Sequence, residues 1–168
     1  SKYSLFLDTL DDVLLPRSGV NISLQYEKSQ IHKRNDSEAY LWYSIFVEKY
    51  STWDDHTFSL SSFYQTCSES TQIYRRTIYG GNNLLTGFKK NQLNGFNTAI
   101  AHFEYRYQHK KDIFFRLLVS NILFNQLENE NTFTQKNLWG YGIGVTLTSP
   151  VGPLEFVWSI GPKSFSEC

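Results

Sequence analysis

The stretch Trp139 to Leu147 reads WGYGIGVTL, and it alternates large apolar residues with glycine or threonine along its whole length. In an extended chain the apolar side chains fall on one face, and Gly140, Gly142 and Gly144 fall on the other. This period of two predicts a β-strand with one apolar face and one polar or empty face. The bare glycine face has two open interpretations, a close approach by another segment or a bend in the sheet.

The same alternation recurs along the rest of the chain. Val20, Ile22, Leu24 and Tyr26 alternate with polar residues, and the residues around Phe103 do the same. Each of these segments has the length of a strand with one apolar face. The alternation predicts eight strands, at about 3–9, 20–27, 39–50, 56–66, 96–108, 113–124, 139–148 and 154–160.

The predicted connections follow a regular rhythm. Short turns near 16–19, 52–55, 109–112 and 149–152 alternate with longer segments at 28–37, 68–95 and 126–137, which are interpreted as loops. Short turns at one end, long loops at the other and aromatic residues at strand ends are typical of outer-membrane barrels. A soluble β-sandwich explains the alternation but not the rhythm. We therefore predict an all-β protein, an antiparallel up-and-down transmembrane β-barrel.

Composition excludes several functional classes. The 168 residues include 16 basic and 16 acidic ones, and this balance argues against a nucleic-acid partner. No apolar run is long enough for a membrane helix, and the mean hydropathy of −0.39 does not argue against a barrel, whose strands have polar inner faces. Cys67 and Cys168 lack metal-site spacing, and no G-x-S-x-G elbow is present. We predict no cofactor, no metal and no catalytic residue in this chain.

Four segments resemble motifs of the bacterial surface antigen superfamily of outer-membrane β-barrels, the BamA/TamA-like proteins. They occur along the chain in the same order as in that family. The segment from Tyr141 to Phe156 resembles the penultimate hairpin of that family. Asp8–Asp12 with Pro16–Gly19 resembles its aspartate-rich strand end and turn, and Phe103–Arg106 resembles its inward glutamate strand. The fourth segment resembles the family's loop motif, here Tyr79, Gly80, Gly81, Thr86, Gly87 and Phe88.

The resemblance covers nearly the whole chain and implies its context. Residues 1–168 would be a single C-terminal region, half of a barrel of about 16 strands. Its closing strand would be missing beyond Cys168. The implied location is the bacterial outer membrane. The implied partners are outer-membrane lipid, the remainder of the chain's own barrel, N-terminal periplasmic domains, and an unfolded outer-membrane or passenger protein.

The resemblance also predicts an inner site. The family's long loop, here at about 68–95, folds into the barrel lumen, and its arginine meets inward carboxylates on the next two strands. Thr86 occupies the arginine position, and the second carboxylate falls near Ser120 or Asn121. The retained carboxylate, Glu104, then needs another partner, since a lone buried charge is costly. Arg106 and Arg116 are the candidates for this lumen polar cluster, unless a wet lumen makes pairing unnecessary.

The implied function is protein insertion into, or translocation across, the outer membrane. The missing arginine at Thr86 leaves a second possibility open, a barrel that anchors or exports a patatin-like phospholipase passenger. In that case the catalytic residues lie on chain outside this sequence. A soluble lipid-binding β-barrel is the alternative of another class.

Overall fold

A computed structural model describes residues 1–33, 36–67, 77–79, 85–89, 93–95, 97–129 and 132–162. Every regular element within these ranges is a β-strand, as the alternation predicts. The strands are β1 (Lys2–Asp8), β2 (Gly19–Lys33), β3 (Asp36–Trp53), β4 (His56–Cys67), β5 (Thr77–Tyr79), β6 (Leu93–Gly95), β7 (Thr98–Lys110), β8 (Ile113–Asn129), β9 (Thr132–Ser149) and β10 (Gly152–Ile160). No helix in the described ranges is long and apolar enough to cross a membrane.

Eight of the strands form one antiparallel sheet in the order β1-β2-β3-β4-β7-β8-β9-β10. Each large strand pairs with the next large strand along the chain, so the topology is up-and-down. The short strands β5 and β6 pair with each other as a separate hairpin. The predicted all-β, up-and-down architecture is therefore confirmed, as a sheet that is not closed on itself within the described residues.

Two of the three predicted long loops are wrong. Strand β2 pairs with β3 as far as Lys33 and Asp36, and β8 pairs with β9 as far as Asn129 and Thr132. Residues 28–33, 36–37, 126–129 and 132–137 therefore belong to paired strands and not to loops. Side-chain alternation detects a strand only where one face is consistently apolar, whereas the backbone ladder continues where the sequence is mostly polar. Strand β3 has 18 residues, more than the 9–11 that cross a bilayer.

The sheet has its apolar face outside and its polar face inside. On β4, Phe58 and Leu60 are 42% and 57% exposed, whereas Ser59 and Ser61 are 3% and 2% exposed. Strand β7 follows the same rule, with Phe103 exposed and its neighbours buried. A soluble sandwich would bury its apolar faces against each other. This inverted arrangement is the one that a lipid environment requires.

The sheet curves around its polar face, which we call the inner face. Asp8 on β1 and Glu155 on β10 lie near opposite edges of the sheet, yet both line one cavity of about 530 Å³. Leu10 and Pro16, in the turn between β1 and β2, line the same cavity. The inner face therefore encloses a polar space that this turn borders at one end.

Candidate functional site

The glycines of β9 form a seat for segment 85–89. A Cβ atom added at Gly140 would collide with the carbonyl oxygen of Thr86, and one added at Gly142 would lie 2.6 Å from the Thr86 methyl carbon. Side chains at these positions would therefore displace the segment. Of the two interpretations of the bare glycine face, close approach by another segment is the one observed at Gly140 and Gly142.

The same segment also crosses the end of β10. Gly87 has a φ angle of +86°, which L-residues with side chains rarely adopt. A Cβ atom there would lie 2.5 Å from the carbonyl oxygen of Ile160, and a Cβ atom added at Gly161 would collide with the carbonyl oxygen of Gly87. Glycine at 87 thus serves both the turn and the contact with the sheet.

Apolar packing holds the segment to the inner face. Leu85 and Phe88, together with Leu93 of β6, join one buried cluster with residues of β7 and β8. The sheet contributes Ile100, Ile122 and Phe124, with Phe63 and Leu138 packed beside them. We call this cluster the apolar seat. The alternation of β7 places Ile100 on the polar face and gives no reason for an apolar residue there. Ile100 and Ile122 face each other on neighbouring strands, and such a pair indicates apolar packing on that face.

Ser120 joins the segment to the strands by neutral hydrogen bonds. The Thr86 backbone N–H donates to Ser120 Oγ over 2.9 Å, and His102 Nδ1 lies 2.8 Å from the same oxygen. Ser120 is fully buried, whereas the Asn121 side chain bonds to Asn137 and to the Leu138 carbonyl. The family's second carboxylate was expected near Ser120 or Asn121, and Ser120 is the one of these two residues that contacts Thr86. Ser120 therefore links Thr86 to His102, which also lines the polar cavity.

Glu104 is the centre of a buried charged cluster. It accepts hydrogen bonds from Arg106 Nε at 3.2 Å and from Arg116 Nε and Nη2 at 2.7 and 2.9 Å. Arg106 and Arg116 are directly opposite each other on β7 and β8. Because like charges in that position repel, the bridging carboxylate is what makes the pair tolerable. The sequence predicted one of these arginines as the partner, and the structure has both.

The charged cluster reaches β10 and the turn between β1 and β2. Arg116 Nη1 lies 2.6 Å from Glu155 Oε1, and Arg106 Nη1 donates to the Pro16 carbonyl at 3.2 Å. A separate carboxylate, Glu48, accepts from the Tyr50 and Ser61 hydroxyls. All of these groups except Pro16 present charged or polar side chains to the 530 Å³ cavity. The charged cluster thus forms one wall of the cavity and fixes the turn that borders it.

Two aspartates organise that turn. Asp11 accepts from the backbone N–H groups of Arg17 and Ser18 at 2.8 and 3.0 Å, and Asp12 accepts from those of Leu14 and Leu15 at 2.7 and 2.9 Å. Hydrogen bonds from Ser18 and Arg17 hold the pKa of the Asp11 carboxyl below its ordinary value of 3.8. Those from Leu15 and Leu14 lower the pKa of Asp12.

The remaining residues of the predicted loop motif are only partly described. Tyr79 ends β5 and pairs with Leu93, while Gly80 and Gly81 lie outside the described residues, as does Cys168. Thr86, Gly87 and Phe88 are the motif residues that meet the inner face. Within the described ranges no group of three or more His, Cys, Asp or Glu side chains could hold a metal ion.

Sequence comparison places these features in a family. The model of the Omp85 superfamily domain matches residues 1–164, which is nearly the whole chain. No curated protein matches the chain. The superfamily includes the BamA/TamA-like barrels that the motifs resemble, and its members are outer-membrane proteins for protein insertion and translocation. The chain belongs to the Omp85 superfamily.

Proposed function

We propose that this chain is the C-terminal part of a bacterial outer-membrane barrel that inserts proteins into, or translocates them across, that membrane. In this proposal the inner face lines the lumen, and segment 68–95 is the loop that folds into it. The rest of the barrel, periplasmic domains and an unfolded client protein complete the working system. The chain's own residues provide surfaces and contacts, and none of them performs covalent chemistry.

One observation carries the proposal, the seating of segment 85–89 on the inner face beside an open polar cavity. Thr86 covers Gly140 and Gly142, while the cavity continues along Glu104 and Arg116 toward the turn between β1 and β2. The loop therefore fills one part of the lumen and leaves another part open. A client chain in such a space would meet hydrogen-bonding and charged groups, which suit an unpaired polypeptide backbone.

The outer face supports the membrane location. On β2 the apolar positions run from Val20 to Tyr26, which at about 3.4 Å per residue is a length of about 20 Å. An outer-membrane barrel has an apolar band about 25 Å tall, flanked by aromatic residues. Trp158 and Phe156 on β10 are likewise exposed on this face. A soluble lipid-binding barrel would instead turn these side chains inward.

The test is a folding assay with the full protein reconstituted into lipid vesicles. An unfolded outer-membrane protein is added, and its insertion is followed by heat-modifiable migration on a gel and by protection from protease. We expect insertion several-fold faster than in empty vesicles. Gly140→Leu, which removes the seat of the loop, should abolish the acceleration, whereas Leu60→Ile on the outer face should not. Equal rates with and without the protein would reject the role in insertion, and the secretion of a soluble client would then test translocation.

A second candidate function is a barrel that anchors or exports a patatin-like phospholipase passenger. It is favoured by the neutral contact at Thr86, where the loop is held by Ser120 rather than by an arginine. Phospholipid hydrolysis by the full protein, lost on removal of its passenger but kept in Ser120→Ala and His102→Gln variants, would support this alternative. Faster insertion of an outer-membrane protein that is not the barrel's own passenger would support the insertion function. No acceleration of such a protein would support the anchor function.

A further inference from the structure

The polar cavity of the inner face holds more carboxylates than cations. Four acidic and two basic side chains line it. The two arginines of the charged cluster bind Glu104 and Glu155, so these four groups balance each other. The other two carboxylates of the lining, Asp8 and Glu48, have no cationic partner among the residues that the structure describes. The cavity therefore carries an excess of negative charge on the side formed by β1 and β3.

Glu48 is held in one orientation at this side of the cavity. Its Oε1 atom accepts hydrogen bonds from the Tyr50 hydroxyl at 2.8 Å and from the Ser61 hydroxyl at 3.1 Å. Both donors are neutral, so they orient the carboxylate without neutralising it. The Oε2 atom has no hydrogen-bond partner in the described part of the chain. Glu48 thus presents a fixed negative charge to a group that enters the cavity.

Ser59 is a second polar group of the cavity that lacks a partner. It is 3% exposed, it lines the same cavity, and its hydroxyl makes no hydrogen bond to any residue within the described ranges. Ser61 is directly opposite Glu48, so Ser59, two residues away on β4, is a diagonal neighbour of Glu48 at about 7–8 Å. Buried hydroxyls are nearly always hydrogen-bonded, to protein or to water. The Ser59 hydroxyl is therefore available to a ligand that also reaches Glu48.

We propose that Glu48 and Ser59 form a binding site for a guanidinium group, the arginine side chain of a client protein in the lumen. One N–H group donates to Glu48 Oε2 and another to the Ser59 hydroxyl. A guanidinium has five N–H donors in one plane, and this fork reaches acceptors on two neighbouring strands. A lysine ammonium is a compact and strongly hydrated charge, which pairs with Glu48 without reaching Ser59. The site therefore prefers arginine to lysine, and the charge of Asp8 adds to the attraction.

The site is tested with short peptides and the full protein in a mild detergent. The probe is a fluorescently labelled peptide of glycine and serine with one central arginine, and its binding is followed by fluorescence anisotropy at low ionic strength, where charges are least screened. Matched peptides carry lysine or citrulline, an uncharged analogue of arginine, at the same position. We expect the arginine peptide to bind several-fold more tightly than the lysine peptide, and the citrulline peptide to bind most weakly. Equal binding of the arginine peptide and either matched peptide would overturn the proposal.

Two substitutions examine the two groups of the site separately. Glu48→Gln keeps the shape of the side chain and removes its charge, so the arginine peptide should then bind no better than the citrulline peptide. Asp112→Asn, at an exposed position of the turn between β7 and β8, removes the same charge outside the cavity and should leave binding unchanged. Ser59→Ala should narrow the difference between the arginine and lysine peptides, whereas Ser62→Ala, on the outer face of β4, should preserve it. Equal effects of a site variant and its control would reject the site. Heat-modifiable migration checks that each variant folds.

The inference rests on the proposed function, because a client chain is what brings an arginine into the lumen. Peptide binding is measured without insertion, so the two can fail independently. Accelerated insertion without a preference for the arginine peptide would reject the binding site and leave the proposed function intact. A preference for the arginine peptide without accelerated insertion would support the binding site and reject the role in insertion.

Discussion

The inner face has two halves built on the same two strands. Toward the long hairpins, Ile100 and Ile122 pack under segment 85–89 in the apolar seat, and toward the short turns Glu104 and Arg116 face an open cavity. The change occurs within four residues of β7, from Ile100 to Glu104. One strand face can therefore serve as a packed core at one level and as a polar wall at the next.

The two halves depend on different physical requirements. The apolar seat depends on shape, because Gly140 leaves room for the Thr86 backbone and no other residue would. The charged cluster is stable only when all of its partners are present, because removing one partner of a buried ion pair leaves the other charge uncompensated. His102 and Ser120 lie at the boundary and connect the two halves through neutral hydrogen bonds. Substitutions in the two halves should therefore destabilise the protein for different reasons, steric overlap in the apolar seat and an unpaired charge in the charged cluster.

The largest effect is expected in the charged half. Glu104→Gln leaves Arg106 and Arg116 opposite each other without their shared carboxylate, which should lower the free energy of unfolding by about 3–5 kcal/mol. Glu155→Gln is the control, because Glu155 is more exposed and its loss should cost under about 1 kcal/mol. Urea titrations in lipid vesicles would measure both. Equal losses would mean that the shared carboxylate has no special role.

A somewhat smaller effect is expected at the apolar seat. Gly140→Ala sets a methyl group against the Thr86 backbone, which should cost about 3 kcal/mol, at the upper end of overpacking costs. In Gly142→Ala the nearest neighbour of the new methyl group is the Thr86 methyl carbon, followed by side-chain atoms of Leu118 and Ser159 and no backbone atom, so this substitution should cost less. Protease cleavage within segment 68–95 should increase more in Gly140→Ala than in Gly142→Ala. If Gly142→Ala proves the more harmful, the backbone contact is not what fixes the segment.

The boundary between the halves can be tested at one hydroxyl. Ser120→Ala removes the acceptor of the buried Thr86 N–H group, which should cost about 1–2 kcal/mol. Hydrogen exchange at the Thr86 amide should become faster, while the ion pairs of Glu104 stay in place. Ser62→Ala, at an exposed position of β4, should change neither quantity. Unchanged exchange in Ser120→Ala would show that packing alone holds Thr86.

The sequence predicted the charged half better than the apolar half. Glu104, Arg106 and Arg116 stand out because charged residues on one face of neighbouring strands must be paired or wet. The apolar seat is harder to predict, because Ile100 and Ile122 interrupt the alternation and their partners in segment 85–89 are distant in sequence. The glycines of β9 were compatible with close approach by another segment or with a bend, and they did not identify Thr86 as the residue that approaches.

The hairpin ends mark the other limit of sequence reasoning. Alternation ends near Tyr26 on β2, yet the strand continues to Lys33. Beyond the apolar band most residues are polar and apolar ones such as Ile31 are isolated, so no period of two remains to be read. Strand pairing there rests on backbone hydrogen bonds, for which every residue except proline has both an N–H donor and a C=O acceptor. The membrane-facing part of the fold was therefore predictable, and the extent of the hairpins was not.

The smallest expected effect concerns the turn that borders the charged half. The Asp11 carboxylate is stabilised by the Ser18 and Arg17 amides, so its pKa in the folded protein is below the ordinary value of 3.8. The contribution of Asp11 to turn stability is therefore complete above that value and is lost as the pH falls through the lowered pKa. Amide exchange at Arg17 and Ser18 should accelerate relative to intrinsic rates in that acidic window, and Asp11→Asn should remove the dependence. Asp12→Asn, whose partners are Leu14 and Leu15, is the matched control and should leave the Arg17 and Ser18 amides unchanged. If both variants alter the same amides, the turn opens as one unit, and the Pro16 carbonyl that Arg106 holds would move with it.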